Sequence, residues 1–255
     1  MSTLAPGAAR LAAVHARYLA VETLRVPIAV VGTVMFPVLS MLFFVVPFAE
    51  VSGDPVAATA ATAQLSLFAV FSVCLFTFGV GVADDRSTPW EPYVRTLPVG
   101  AGPRVAARLL TGVLFALLGL LPLLLVAALA TEAAVTPGQV VLGLGALAAA
   151  GTPLLLMGIA IGYALPVKAA IPAAQVLLFP LAFGGGLFLP PQSFPGWLDG
   201  VSLLLPTRAG RDLVVAATTG GDVPGHVLPV LLVWTAVTAA VAVWAYRRDE
   251  GRRFR

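Results

Sequence analysis

The sequence predicts an all-α integral membrane protein with six transmembrane helices and with both chain ends on the cytoplasmic side. Three observations lead to this fold class: the composition, six apolar segments of spanning length, and the distribution of the basic residues. Of the 255 residues, 59% are hydrophobic and only 11% are charged, whereas soluble domains average about a quarter charged residues. So few charges could not cover a water-facing surface.

Six segments have the length that a membrane crossing needs, about twenty mostly apolar residues, and none of them contains a charged residue. The predicted spans are Val26–Phe48, Ala61–Ala83, Leu109–Ala130, Val140–Leu165, Ala169–Leu189 and Val227–Tyr246. Ion-coupled carriers usually keep an ionisable side chain at membrane depth. Charge-free spans therefore argue against transport driven by a buried titrating group.

The basic residues indicate the orientation, because loops that stay in the cytoplasm retain an excess of Lys and Arg. This topology places thirteen of the fifteen on one face: Arg10, Arg17, Arg25, Arg86, Arg95, Arg104, Arg108, Lys168, Arg247, Arg248, Arg252, Arg253 and Arg255. Only Arg208 and Arg211 fall on the other face.

The chain thus divides into an N-terminal interfacial segment (1–25), a transmembrane domain (26–246) and a basic cytoplasmic tail (247–255). Basic residues scattered at span ends form no continuous stripe, so nucleic acid is not expected as a partner.

The N-terminal segment Ala8–Arg25 is predicted to be helical, since it is rich in alanine and lacks Gly and Pro. Its alanines share one face, and Arg10 and Arg17 lie on the opposite face with apolar residues. Two interpretations remain open, an interfacial helix with snorkelling arginines and a solvated helix. Nothing in it has the form of a cleaved signal peptide.

In the fourth span, Gly158 and Gly162 form a small-xxx-small pair that predicts close helix packing.

The inside link between spans two and three, residues 83–108, carries the signals of a short helix. Thr88 and Glu91 have the spacing of a capping box, with Pro89 at the first helical position. A pair of charges, Glu91 and Arg95, follows at the i,i+4 spacing. The residues expected to form a docking surface for a partner are Thr88, Trp90, Glu91, Val94, Arg95 and Leu97. The alternative is a plain interfacial turn.

The outside link between spans five and six, Leu189–Gly225, is predicted to hold two short apolar helices separated by Leu205-Pro206. It is too apolar for a solvated loop and too short to cross twice, so it should lie in the outer leaflet or re-enter partway. The residues expected to build this outer element are Phe194, Trp197, Leu205, Pro206, Arg208 and Arg211. Gly184–Gly186, just before this link, should break the fifth span.

For Arg208 and Arg211, two interpretations are open. The pair could anchor the outer helices at the lipid phosphates or meet an anionic substrate group. Alternatively, it could simply snorkel to the headgroups. Asp212 is expected to point away and need not neutralise both arginines.

Within six spans, these two links resemble those of the ABC type-2 transporter permeases. The resemblance rests on Asp85-Arg86, Ser87-Thr88 and Leu97-Pro98 in the inside link, and on Phe194-Pro195, Trp197-Leu198, Leu205-Pro206 and Arg211 in the outside link. The chain departs from the family pattern at Ser87, where Gly is frequent, and at Asp85, where Glu is usual. The resemblance implies a coupling helix seated in a cleft of a separate ATPase subunit, re-entrant outer helices, and two permease copies around one export path.

The function expected from this resemblance is that of the membrane subunit of an ATP-driven exporter in the plasma membrane, such as a bacterial inner membrane. The sequence has no GxxxxGK[ST] phosphate loop, so ATP and Mg²⁺ are expected on a partner ATPase dimer and no cofactor on this chain. Charge-free spans favour an apolar or amphipathic substrate, such as a drug in multidrug efflux, a lipid or a lipid-linked glycan.

Other function classes are compatible with the same sequence features. One alternative is a haem-export-type permease, which has a related layout, and another is a non-transporting membrane scaffold. A membrane-embedded enzyme is disfavoured, because the two histidines, His15 and His226, fall on opposite faces and cannot form a dyad or a metal site. We therefore expect no catalytic residue in this chain.

Overall fold

The computed structural model describes residues 7–25, 27–88 and 102–252, and within these ranges every regular element is helical. The helices are α1 (Ala8–Leu24), α2 (Pro27–Phe44), α3 (Ala49–Ser52), α4 (Pro55–Leu75), α5 (Gly81–Ser87), α6 (Gly102–Ala130), α7 (Pro137–Ala164), α8 (Val167–Gly184), α9 (Gly196–Ser202), α10 (Pro206–Thr219) and α11 (Val227–Arg252). A π-helical turn, Phe76–Val80, joins α4 to α5 without a break. The predicted all-α membrane fold is confirmed.

Five helical stretches among the described residues are long and apolar enough to cross a membrane: Pro55–Ser87, Ala106–Ala130, Pro137–Ala164, Val167–Gly184 and Val227–Asp249. They correspond to the second to sixth predicted spans. The first predicted span is helical over Pro27–Phe44, within which Met35–Phe44 is a shorter apolar helix. The sixth crossing and the cytoplasmic position of both chain ends therefore stay predictions.

The ends of the spans follow from local capping chemistry. α4 begins at Pro55, earlier than predicted, because the Asp54 side chain accepts a hydrogen bond from the backbone N–H of Ala57 at 2.6 Å. α8 ends at Gly184, where the glycine run was predicted to break the fifth span, and so before the predicted bound at Leu189; Gly186 has a φ of +75° that favours glycine. α11 continues beyond Tyr246 to Arg252, so the predicted tail begins inside this helix.

α7 lies at the centre of the bundle, with α4, α10 and α11 packed against it. Small residues permit the closest approach. A Cβ added at Gly158 would overlap the carbonyl oxygen of Cys74, and one at Gly162 would lie 2.6 Å from the Cβ of Val82. The predicted small-xxx-small pair thus faces the stretch that contains the π-helical turn. We call the end of the bundle that holds residues 84–88, 106–108, 162–168 and 247–252 the inner end, and the opposite end the outer end.

α1 packs along α6 through its alanine face. Ala12 and Ala20 are buried, whereas Tyr18 on the opposite face is 71% exposed. The predicted helix is confirmed, and its alanine face is covered at Ala12 and Ala20 but exposed at Ala9 and Ala13.

Candidate functional site

At the outer end, α10 lies antiparallel beside the outer half of α7. A Cβ on Gly210 would lie 2.9 Å from that of Ala150, and one on Gly143 would lie 2.8 Å from the Thr218 methyl group. Ala150 lies about 20 Å along α7 from its first residue, Pro137, at the usual helical rise per residue. The first turn of α10 is therefore deep in the bundle.

We call α9 and α10 the outer hairpin, and the predicted outer residues lie in these two helices or directly before them. Pro206 is buried as the first residue of α10, and the preceding Leu205 is its extended N-cap. Trp197 on α9 is 72% exposed, and Phe194 is half-buried before that helix. The two helices separated by Leu205-Pro206 are thus present as predicted.

Arg208 holds the hairpin together through three side chains. Its Nε donates to Oδ2 of Asp212 at 2.9 Å, and its Nη1 donates to Oδ1 of Asp199 at 2.9 Å and to Oγ of Ser202 at 2.7 Å. Asp199 and Ser202 belong to α9, whereas Arg208 and Asp212 belong to α10. One guanidinium therefore joins the two helices of the hairpin.

Arg211 extends this group to a transmembrane helix. Its Nη1 donates to Oδ1 of Asp212 at 2.8 Å and its Nε donates to Oε1 of Gln64, on α4, at 3.3 Å. Nε2 of His226 lies 3.4 Å from Oδ2 of Asp212. We call Gln64, Asp199, Arg208, Arg211 and Asp212 the outer cluster.

The outer cluster changes the interpretation of the two outside arginines. The expectation that Asp212 need not neutralise both was wrong, because its two carboxylate oxygens contact one arginine each. The side chains of Arg208 and Arg211 are only 12% and 11% exposed. Both guanidinium groups are bound inside the protein, which fits neither lipid-headgroup interpretation. The two arginines and the two aspartates of the outer cluster together have a net charge of zero.

At the inner end, an ion pair joins the helices before and after the inside link. Arg108 on α6 pairs with Oδ2 of Asp85 on α5. Residues 89–101 lie outside the described part of the chain, and these two side chains stand on either side of that gap. The described residues on the two sides of the gap are therefore joined by this ion pair.

Thr88 is the last described residue before the gap. Its backbone is extended, with φ −74° and ψ 141°, the conformation that a helix N-cap takes. Its hydroxyl donates to the carbonyl oxygen of Asp85 at 2.7 Å. The other predicted docking residues lie outside the described residues, so the coupling helix stays a prediction: Trp90, Glu91, Val94, Arg95 and Leu97.

Arg86, next to Asp85, contacts two further helices. Its Nη1 donates to the carbonyl oxygens of Gly162 and Leu165, and its Nη2 pairs with Oδ1 of Asp249 on α11. The guanidinium also lies 5.6 Å from the ring centroid of Tyr163. We call Asp85, Arg86, Arg108 and Asp249 the inner cluster.

A third feature is an aromatic surface on the side of the bundle formed by α2 and α8. Ring centroids lie 5.7 Å apart for Phe36 and Phe68, 5.6 Å for Phe36 and Phe179, and 4.6 Å for Phe183 and Phe188. Phe36 and Phe183 are each 44% exposed. The exposed large side chains of α6 are instead leucines and a valine: Leu109, Leu110, Val113, Leu114, Leu117, Leu121, Leu124, Leu125 and Leu129.

Sequence reasoning missed several members of the two clusters. Gln64 offered a signal, since it is an amide side chain within a predicted apolar span. Asp199 and Asp249 offered none, because nothing in a single sequence relates Asp249 to Arg86. The predicted spans contain no charged residue, and the buried charges of the outer cluster lie on α10 instead.

Comparison with known proteins agrees with the resemblance seen in the sequence. The family model for the ABC-2 type transporter matches residues 13–218. The chain is also similar to the "Putative transport permease YvfS" of Bacillus subtilis (strain 168), with 24% identity over 188 residues, which cover 73% of this chain and 76% of that protein.

Proposed function

Because the chain belongs to the ABC-2 type transporter family, we propose that it is the permease subunit of an ATP-driven exporter. In this proposal a separate ATPase dimer binds ATP and Mg²⁺, and this chain supplies the path across the cell membrane. The family match and the helices of spanning length support a multi-pass transport permease. The export direction, the substrate and the partners form the finer part of the proposal.

The aromatic surface supports an apolar or amphipathic substrate. Aromatic rings offer large apolar area and flat faces that accommodate varied ligands. Phe36 and Phe183 are exposed on one side of the bundle, whereas the exposed face of α6 is aliphatic and suited to lipid tails. We propose that the aromatic side faces a second permease copy and that the path runs between the two copies. A drug, a lipid or a lipid-linked glycan has the required chemistry.

The inside link supplies the proposed ATPase contact. The pair of Asp85 and Arg108 joins the two described helices that flank residues 89–101. A segment held in this way suits a protruding coupling helix, with Trp90, Val94 and Leu97 as its apolar face. Movement of the ATPase subunits would then reach α5 and α6 directly.

Purification of the tagged chain from its native membrane tests the subunit assignment. We expect an ATPase with a phosphate-loop motif to co-purify in stoichiometric amount. Recovery of the chain without an ATPase would contradict the proposal and favour a membrane scaffold.

The substrate class is tested by the ATPase activity of the purified complex in lipid vesicles. Amphipathic drugs, lipids, lipid-linked glycans and haem are added in turn, and we expect stimulation by one of the first three. Replacement of Phe36 and Phe183 with Ala should weaken this stimulation, whereas Leu121→Ala and Leu125→Ala on the aliphatic face should not. Stimulation by haem alone would favour the haem-export alternative.

Orientation is tested with single cysteines in a Cys74→Ala background. A cysteine at position 54 or 220, both exposed, should react with an impermeant thiol reagent on intact cells. A cysteine at position 251 should react only after lysis. Labelling of position 251 from outside would overturn the topology.

A further inference from the structure

Arg86 lies at the start of the inside link, and its side chain bonds to both α7 and α11. Its side chain is 18% exposed, and its partner Asp249 is 6% exposed. It stands two positions before Thr88, where the predicted coupling segment begins. The site is therefore buried, charged and adjacent to the proposed ATPase contact.

The contacts with α7 involve a helix terminus. The carbonyl oxygens of the last helical turn have no partner within the helix, and the partial negative charge at that end attracts cations. Arg86 donates to two of these oxygens, on Gly162 and Leu165, where α7 ends at Ala164. α5 is thus bonded to the inner terminus of α7.

The contact with α11 uses the other branch of the same guanidinium. Nη2 of Arg86 pairs with Asp249, while Tyr246, one turn earlier on α11, packs edge-to-face on Tyr163 of α7 at 5.1 Å. A planar guanidinium has several donors in a fixed fork, so one side chain can hold two helices at once. Lysine cannot reproduce this geometry.

We propose that Arg86 is a positioning residue that makes the inner ends of α5, α7 and α11 move as one body. A displacement of the inside link by the ATPase would then reach α11, which is far from the link in sequence. This inference rests on the proposed function, because it needs a partner that moves the link.

The test measures distances between pairs of spin labels in the complex with its ATPase, in a Cys74→Ala background and diluted with unlabelled chain. One pair, at positions 87 and 247, lies within the proposed body. A second pair, at positions 168 and 247, joins the body to the start of α8. All three positions are exposed. Each distance is measured without nucleotide and after trapping with MgATP and vanadate.

We expect the 87–247 distance to stay constant on trapping and the 168–247 distance to shift. Arg86→Gln and the isosteric Asp249→Asn should broaden the 87–247 distribution and abolish the 168–247 shift, with Arg86→Lys intermediate. Arg17→Gln removes an exposed charge on α1, outside the inner cluster, and should behave as wild type. A purely structural contact would lower stability in the variants without removing the nucleotide-dependent shift.

Three results would overturn the inference: a change of the 87–247 distance in wild type on trapping, an unmoved 168–247 distance in wild type, or an undiminished shift in both Arg86→Gln and Asp249→Asn. If Arg86→Gln fails to insert into the membrane, the 168–247 shift in Asp249→Asn and Arg86→Lys tests the inference instead. Failure of the wild-type chain to bind any ATPase would refute the proposed function instead. In that case the 87–247 distribution without nucleotide still tests whether Arg86 holds the three helix ends together.

Discussion

The outer and inner clusters hold their charges in different ways. In the outer cluster, Arg208 bonds to Asp199 and Asp212, which are nine and four positions away in sequence. In the inner cluster, Arg86 pairs with Asp249 across 163 positions. The ion pairs of the outer cluster join sequence neighbours, and they shape mainly the hairpin that contains them, whereas the contact with a distant helix is the hydrogen bond from Arg211 to the amide of Gln64. A pair between distant segments instead fixes how whole helices sit relative to one another.

Burial does not distinguish the two ends. Each cluster has one buried acid, Asp212 at 7% and Asp249 at 6% side-chain exposure, and one half-exposed acid, Asp199 at 46% and Asp85 at 47%. The difference therefore lies in what the charges join. We expect outer substitutions to act on folding, and inner substitutions to act on the transfer of motion as well.

The largest stability loss should follow Asp212→Ala. Removing this carboxylate leaves Arg208 and Arg211 without the acid they share, and an uncompensated buried charge costs about 3–5 kcal/mol. The measurement is the free energy of unfolding of the chain in detergent. Asp222→Ala, at an exposed position of the same outside link, serves as the control and should match wild type. Equal losses in the two variants would show that the outer cluster does not stabilise the hairpin.

Gly158→Ala should have the next largest effect. Its added methyl group would overlap the backbone of Cys74 on the neighbouring span, and overpacking of this kind costs about 1–3 kcal/mol. Gly145→Ala lies in the same helix, where a Cβ meets nothing within 4 Å, and it should be neutral or stabilising. Thermal unfolding midpoints of the two variants test this. A Gly158→Ala protein as stable as Gly145→Ala would contradict the close approach of α7 and α4.

The smallest effects are expected for the half-exposed acids. Asp199→Ala and Asp85→Ala each remove an ion pair that water partly screens, and such pairs contribute about 0–1 kcal/mol. Both variants should unfold close to wild type. A loss from Asp199→Ala as large as that from Asp212→Ala would place the hairpin's main stabilising contact on α9 rather than at the buried acid.

The sequence was sufficient to predict most of the architecture, because membrane spans depend on composition and helix ends depend on local caps. The all-α membrane fold, the helix Ala8–Leu24, the break after Gly184 and the start of α10 at Pro206 all follow from such signals. The five described spans were placed with errors mainly at their ends. At α4, for example, the cap at Asp54 was not used in the prediction.

The two clusters could not be predicted in the same way. Their geometry depends on which helices pack together, and a single sequence does not show that α10 returns beside α7 or that Asp249 meets Arg86. The angular argument from one helix was also misleading for Asp212. At neighbouring positions, long arginine side chains can bend toward one carboxylate, so helical spacing alone did not exclude a shared contact.

The central claim is that the inside link binds the ATPase whereas the outer cluster holds the hairpin. Co-purification of the ATPase with Glu91→Arg, compared with Asp199→Asn, tests it most directly. A surface pair at the i,i+4 spacing contributes only roughly 0.3–0.5 kcal/mol, so Glu91→Arg should insert normally. We predict that Glu91→Arg loses the ATPase while Asp199→Asn retains it, and that the double reversal Glu91→Arg with Arg95→Glu recovers at most part of the binding. Wild-type recovery of the ATPase with Glu91→Arg would contradict the claim.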